Sequence, residues 1–228
     1  KPGKTEGSRI MKEDKEKKQK EKLEAEIARL KIMQEFEEKY KAFTYIAGVD
    51  EVGRGPLAGP VVASCVILDR NIQILYINDS KKLSEKKRES LYDEICEKSV
   101  AYGIGIVSPG RIDEINILNA TYEAMKAAIS SLDIKPDILL NDAVHIPDLD
   151  IKQVSIIKGD AKSISIAAAS IVAKVSRDRL MVEYDTIYPE YKFAKNKGYG
   201  TKEHISAIKE HGLCPIHRRS FVGNIIGA

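Results

Sequence analysis

The sequence predicts an α/β domain built on a mixed sheet and preceded by a helical extension. Three observations predict it. Apolar, β-branched segments come first and are then interleaved with helical periods, the order of a sheet with helices packed on it. Composition changes abruptly near Ala42, from a Lys- and Glu-rich stretch to apolar alternation. Separate apolar segments lead to carboxylates at Asp50, Asp142 and Asp160, and in α/β sheets ligands gather beyond the carboxyl ends of strands.

At 228 residues the chain can bury one full core with length left for an appendage. Residues 1–43 are read as that appendage, a charged and partly amphipathic helical extension. Residues 12–26 have almost nothing apolar to bury. From Leu23 a stripe follows through Ile27, Leu30, Met33, Phe36, Tyr40 and Phe43, spaced three or four apart, which is one helical face. The spacing predicts a helix over 13–41, solvated at first and then docked on the body or on a partner.

Residues 44–228 form the folded domain. Strands are expected at 45–50, 61–68 and 72–77, then at 100–107, 138–140 and 154–157. A polar turn at 79–82 precedes a helix capped by Ser84. Helices are expected over 116–132, over the Ala-rich 161–188, and over 202–211, the last ended by Gly212.

Several classes are excluded or disfavoured. The apolar runs at 61–68 and 164–173 are too short to span a bilayer, and the start carries no signal pattern, so a cytoplasmic protein without a membrane partner is expected. Cys65, Cys96 and Cys214 are odd in number, far apart and form no CxxC pair, which argues against a disulfide framework or a thiolate zinc site. A net charge of +3 neither requires nor excludes a nucleic acid.

Acids at the ends of buried strands are expensive unless something positive meets them. Asp50 and Glu51 close the segment from Tyr45, Asp142 closes Ile138-Leu139-Leu140-Asn141, and Asp160 precedes the Ala-rich helix. Converging carboxylates of this kind suit hard cations and can hold two of them. Each acid taken alone is better explained by a turn or a helix cap, Asp160 above all. Neighbouring strand residues face opposite ways, so Asp50 and Glu51 reach one site only if the chain leaves the strand there, and Gly53 permits such a departure. Gly53-Arg54-Gly55-Pro56 follows directly; glycines there allow close backbone approach and expose amide N–H groups.

At this point a family comes into view. The stretch from Ala47 to Val62, centred on Asp50-Glu51-Val52-Gly53-Arg54-Gly55-Pro56, resembles the signature of the ribonuclease HII family. Asp79-Ser80-Lys81-Lys82-Leu83-Ser84, Lys158-Gly159-Asp160-Ala161 with the Ala-rich run to Arg177-Asp178, Gly198-Tyr199-Gly200-Thr201 and Pro215-Ile216-His217-Arg218-Arg219-Ser220-Phe221 resemble its later blocks, in order. The sister family, ribonuclease HIII, carries a threonine where Arg54 stands.

The resemblance implies a ribonuclease H-like fold with a central five-stranded mixed sheet flanked by helices, and a C-terminal helical part that binds substrate. It implies a metal-dependent endonuclease acting on RNA–DNA hybrids and 5′ of single ribonucleotides in duplex DNA, leaving 3′-hydroxyl and 5′-phosphate ends. Asp50, Glu51, Asp142 and Asp160 would be the catalytic acids, holding two Mg²⁺ or Mn²⁺ ions. Gly53, Arg54 and Gly55 would sense the ribose 2′-OH, and Tyr199 would stack beside the sugar. Ser80 and Lys81 are candidate substrate contacts; Ser80 could equally cap the following helix, and Lys81, Lys82, Lys195, Lys197, Lys202, Arg218 and Arg219 could be phosphate contacts or a solvated basic surface. The chain is expected to be a monomer working in ribonucleotide excision repair and DNA replication, and a protein contact through the N-terminal helix stays open. Two other classes also stay open: a hybrid-binding module without catalysis, and a scaffold working through the helix that carries the Leu23 to Phe43 stripe.

Overall fold

The apolar segments after residue 44 pair into one five-stranded mixed sheet, seen in a computed structural model that describes residues 3–226. The strands are β1 (Ile46–Val52), β2 (Val61–Leu68), β3 (Ser99–Val107), β4 (Ile138–Asp142) and β5 (Lys152–Ile156), in the spatial order β3-β2-β1-β4-β5. β1, β2 and β3 are antiparallel neighbours; β4 and β5 run parallel to β1. Ile46 lies opposite Ile138 and Val49 opposite Asn141, so Asp50 and Asp142 come out at the same level.

Around the sheet run α1 (Gly3–Met33), α2 (Glu35–Lys39), α3 (Glu85–Lys98), α4 (Pro109–Ser130), α5 (Ile164–Ile187), α6 (Phe193–Asn196), α7 (Lys202–His211) and α8 (Arg219–Ile226). Strand alternation sorts the side chains. Ala47, Val49 and Leu139 face α4 through Ala120, Ala124 and Ala128. Ile46, Ile138 and Leu140 face the other way, onto Ile166 of α5. Further along α5, Ala168, Ile171 and Val172 pack with Leu91 and Ile95 of α3. A third cluster, with Phe193, Tyr191, Ile208 and Ile216, holds the C-terminal helices beyond the sheet. None of the described helices is long and apolar enough to cross a membrane.

The extension does dock. Leu30 and Met33 are buried with Ile74, Ile77 and the α3–α5 contact, and Phe36, Tyr40 and Phe43 pack beside Ile166. Leu23, at the head of the stripe, stays largely exposed. The expected single helix over 13–41 is corrected in two ways: it begins at Gly3, and it breaks at Gln34 before α2.

Other expectations change as well. The strand expected over 72–77 is an irregular loop, with Tyr76 at φ 68°. Its Ile74 and Ile77 are buried under α1, with Ile72 partly so, and a residue with positive φ cannot continue a ladder. The helix expected over 116–132 starts at Pro109 and is interrupted at Asn116 (φ 67°, ψ 166°), whose Oδ1 accepts from the N–H groups of Leu118 and Asn119. Asn116 is thus the N-cap of a second helical segment, and Ser108 caps the first. The long Ala-rich helix starts at Ile164, capped by Ser163 rather than Asp160. α8 had no sequence signal strong enough to predict it.

α5 crosses β1 almost in backbone contact. A Cβ on Gly48 would sit 2.0 Å from the Ser165 carbonyl carbon and 2.3 Å from the Ile166 nitrogen. Main-chain atoms on a packed helix cannot yield, so only glycine fits two residues before Asp50. Gly48→Ala should therefore cost about 3 kcal/mol or more, at the upper end of overpacking penalties, or prevent folding; urea denaturation of the variant checks this.

Candidate active site

Asp142 ends β4, and Asp50 lies level with it near the end of the neighbouring parallel β1, both on the face that carries α5. Asp50 is buried, and its carboxylate accepts from the Glu51 N–H at 2.8 Å. Burial, with the nearby charges of Glu51 and Asp142, drives Asp50 well above the ordinary carboxylate range, against the pull of a hydrogen bond from Ser170. Ser170 in turn meets Ser80 Oγ at 2.9 Å. Asp142 Oδ1 accepts from the Gly159 N–H at 2.7 Å, tying β4 to the turn that carries Asp160. Asp160 is raised by burial and by the charges of Asp79 and Asp142, with Lys81 opposing.

Glu51 is the geometric exception. β1 continues through Val52, so the chain does not leave the strand at Glu51, and the departure comes at Gly53. Alternation sets Glu51 on the opposite face from Asp50. Its carboxylate still sits at the strand end, raised by burial with Arg54 opposing at 3.3 Å and Asp142 adding to the rise. Among the described residues no three His, Cys, Asp or Glu side chains already stand as a closed metal cluster. Three of the acids are turned instead to partners of their own, Asp50 to Ser170 and the Glu51 N–H, Glu51 to Arg54 and Asp142 to Gly159, while Asp160 faces the like charge of Asp79. The donor set is all oxygen, partly desolvated and mutually repulsive, which suits a hard divalent cation.

Lys81 lies exposed beside this group. Partial burial opposes its charge, but Asp160, Asp50, Asp79 and Asp142 together outweigh that and raise it. Ser80 is buried with its hydroxyl turned inward to Ser170, so it supports Asp50 from behind rather than presenting itself at the surface.

The Gly53–Gly59 loop is held by two buried arginines. Arg218 donates from Nε to Gly59 O (3.0 Å), from Nη1 to Arg54 O (2.9 Å) and from Nη2 to Gly53 O. Arg177 donates from Nε to Pro60 O (2.9 Å), from Nη1 to Lys197 O (2.9 Å) and from Nη2 to Ala58 O (3.1 Å). Both side chains are fully buried, and neither forms an ion pair among the described residues. Burial and the adjacent Arg177 pull Arg218 down to about 9, still charged at neutral pH. Gly53, at φ 91°, takes a conformation that L side chains avoid, and a Cβ there would meet Arg177 Nε at 2.3 Å. Arg218 is accordingly withdrawn from the set of candidate phosphate contacts: its guanidinium is spent on carbonyls. Lys195 is engaged with Glu203 at 2.9 Å.

The Tyr199 loop is knitted to the same place. Gly198 O accepts from the Leu57 N–H at 2.8 Å, and Tyr199, 43% exposed, stands between Gly198 (φ 84°) and Gly200. Behind it lies a relay. The Cys214 N–H donates to His217 Nδ1 (3.0 Å), so His217 carries its proton on Nε2 and donates to His204 Nε2 (3.0 Å), and His204 Nδ1 donates to Tyr199 O (2.8 Å). Burial and the neighbouring His204 lower His217 to about 4, and burial lowers His204.

The family model for ribonuclease HII matches residues 47–223. The chain belongs to the ribonuclease HII family. It is a hydrolytic endonuclease of the ribonuclease H type 2 class. The ribonuclease HII of Lachnoclostridium phytofermentans is 66% identical over 90% of this chain and 81% of its own. Among solved structures, ribonuclease H2 from Pyrococcus horikoshii OT3 has a TM-score of 0.66 at 30% identity, covering 81% of this chain and 98% of that one. Ribonuclease HII from Archaeoglobus fulgidus, solved in complex with PCNA, has a TM-score of 0.63 at 28% identity, covering 79% and 96%.

In this ribonuclease HII family member, sequence reasoning missed Asp79, Ser170, Arg177 and the inward role of Arg218. Asp79 looked like a turn former, and it is one, since its Oδ1 accepts from the Lys81 N–H at 2.9 Å. Only the fold brings its carboxyl to Asp160.

Two predictions follow from the loop and the relay. Arg218→Lys cannot fork to three carbonyls, and should lose about 2–4 kcal/mol of stability together with most of the cleavage rate; thermal unfolding and a hydrolysis assay read both. A histidine whose folded value is lowered contributes stability that is complete above its usual 6.5 and is lost as pH falls toward about 4. The melting temperature should therefore hold above pH 6.5 and drop below it, and His217→Gln should flatten the drop.

Proposed function

We propose that this chain degrades the RNA strand of RNA–DNA hybrids and cuts duplex DNA on the 5′ side of a single embedded ribonucleotide. Membership of the ribonuclease HII family supports the hybrid-degrading activity. The observation that carries the finer reading is the pairing of two features: carboxylates on neighbouring strand ends, and a glycine loop held beside them with its carbonyls turned away.

Asp50, Glu51, Asp142 and Asp160 are the catalytic acids and would hold two divalent cations, Mg²⁺ or Mn²⁺. When bound, such ions lower the pKa of the attacking water and neutralise charge on the scissile phosphate. The protein's own part is placement. Asp50 and Asp142 are fixed by β1 and β4, Asp160 by the turn bonded to Asp142, and Glu51 is steadied by Arg54. Gly53, Arg54 and Gly55 offer backbone N–H groups to the ribose 2′-OH, the group that separates RNA from DNA. Tyr199 sets its ring beside that sugar, Lys81 meets a phosphate, and Ser80 supports the floor behind Asp50. Hydrolysis leaves a 3′-hydroxyl and a 5′-phosphate.

The catalytic domain is residues 44–228, with 1–43 as the extension. The protein works as a cytoplasmic monomer in ribonucleotide excision repair and DNA replication, and the extension is the surface on which a protein partner would be sought.

The test is a DNA duplex with one ribonucleotide, incubated with Mg²⁺ or Mn²⁺ and, separately, with EDTA. Metal-dependent cutting 5′ of the ribonucleotide is expected, and Asp142→Asn should slow it by about 100-fold or more. Cutting of long hybrids alone would keep the enzyme class and remove the proposed roles of the Gly53–Gly55 loop and Tyr199.

A further inference from the structure

We infer that the N-terminal helices brace the active site, with Glu37 of α2 as the positioning residue that fixes the turn carrying Asp160. The inference rests on the reading of Asp160 as a ligand of a divalent cation.

Asp160 lies in the short turn Gly159–Ala161, entered through Lys158 at φ 57°, a conformation that non-glycine residues rarely hold without help. On one side the turn is tied to β4 by the bond from Gly159 N–H to Asp142. On the other side a second carboxylate holds it: Glu37 Oε1 accepts from Ser163 Oγ at 2.6 Å and from the Ser165 N–H at 3.0 Å. Asp160 thus lies between two carboxylate anchors, Asp142 of the sheet on Gly159 and Glu37 on Ser163, 126 residues away in the chain, whose own N–H donates back to Gly159 O at 2.8 Å.

Helix capping alone does not account for Glu37. Ser163 already caps α5 by accepting from the Ile166 N–H. Glu37 Oε2 is buried without a hydrogen-bond partner, an expensive arrangement that a smaller or apolar residue would avoid. Close packing supplies only part of the link: Phe36 and Tyr40 pack beside Ile166, but beside Glu37 lies a cavity of about 280 Å³, lined by Gln34, Lys41, Arg70 and Ile164 among others. Glu37 is the polar bridge across that gap.

The same extension also holds the segment on the other side of Asp160. Glu26 Oε1 of α1 accepts from the Tyr76 N–H at 2.7 Å, and Arg29 Nη2 donates to Ile77 O at 2.6 Å. That loop leads directly to Asp79, whose carboxyl is hydrogen-bonded to Asp160, and to Lys81. Both chain segments that meet at Asp160 are therefore pinned from outside by α1 and α2. The geometry points to a brace rather than an independent appendage.

The experiment is calorimetric titration of the full chain with Mn²⁺ alone, without substrate, at a temperature well below every variant's unfolding midpoint. Glu37→Ala should weaken Mn²⁺ binding about tenfold, the lower end of what removing an outer-shell partner costs. Glu37→Gln keeps an acceptor oxygen and should bind as the parent does, with cleavage preserved. Glu37→Asp keeps the charge, loses the reach and should behave like the alanine variant; it replaces that variant if alanine prevents folding. Mn²⁺ binding unchanged in Glu37→Ala or Glu37→Asp, with only the melting temperature lowered, would overturn the brace. Asp160→Asn serves as the reference: if it binds Mn²⁺ like the parent, the ligand reading of Asp160 fails first and takes the brace with it.

Discussion

Two buried guanidinium groups with backbone carbonyls as their partners are the constraint on which the rest of the site depends. Burying an arginine without a carboxylate is costly unless every donor finds an acceptor. In Arg177 and Arg218 each guanidinium nitrogen donates to a carbonyl, six in all, drawn from residues 53–60 and from Lys197. One set of interactions thereby fixes the loop after Asp50-Glu51, sets the Tyr199 loop against it and anchors the C-terminal segment. Take the arginines away and the strand ends remain, with no ordered loop beside them.

The acids pose the opposite problem. They are held near one another with little positive charge among them, so the folded protein stores repulsion at the sheet end. Lys81 softens that repulsion from the side, and Arg54 does so for Glu51 alone. Rigid supports around the group keep it from relaxing: β1 and β4 in register, Gly48 pressed on α5, and the anchored turn at Asp160.

Much of this was legible in the sequence. Asp50 and Asp142 announce themselves because they end apolar runs, and local rules placed the Ser84 cap and the Gly212 stop correctly. What failed was tertiary. The apolar Ile72, Ile74 and Ile77 follow burial under α1, which pattern reasoning cannot separate from a strand. Asn116 reads as a mid-helix residue until its φ shows it to be a cap. Arg218 sits in a basic motif beside Arg219, and nothing local says that one of them turns inward to main-chain oxygens. Ser170 and Asp79 are ordinary helix and turn residues whose importance comes only from what the fold sets beside them.

The strand order has a consequence for how the enzyme comes into being. The antiparallel strands β1, β2 and β3, with α3 between the last two, come from the first half of the chain and can pair early. β4 joins β1 only across a long separation: Tyr45 and Asp137, bonded where the two strands begin, are 92 residues apart. A ribosome that has released these three strands has therefore exposed Asp50 and Glu51 without Asp142, Asp160 or the arginines that shape the loop. Nascent chains should carry half an acid cluster and no nuclease, and activity should switch on in one step once α5 and the segment at Arg218 have docked.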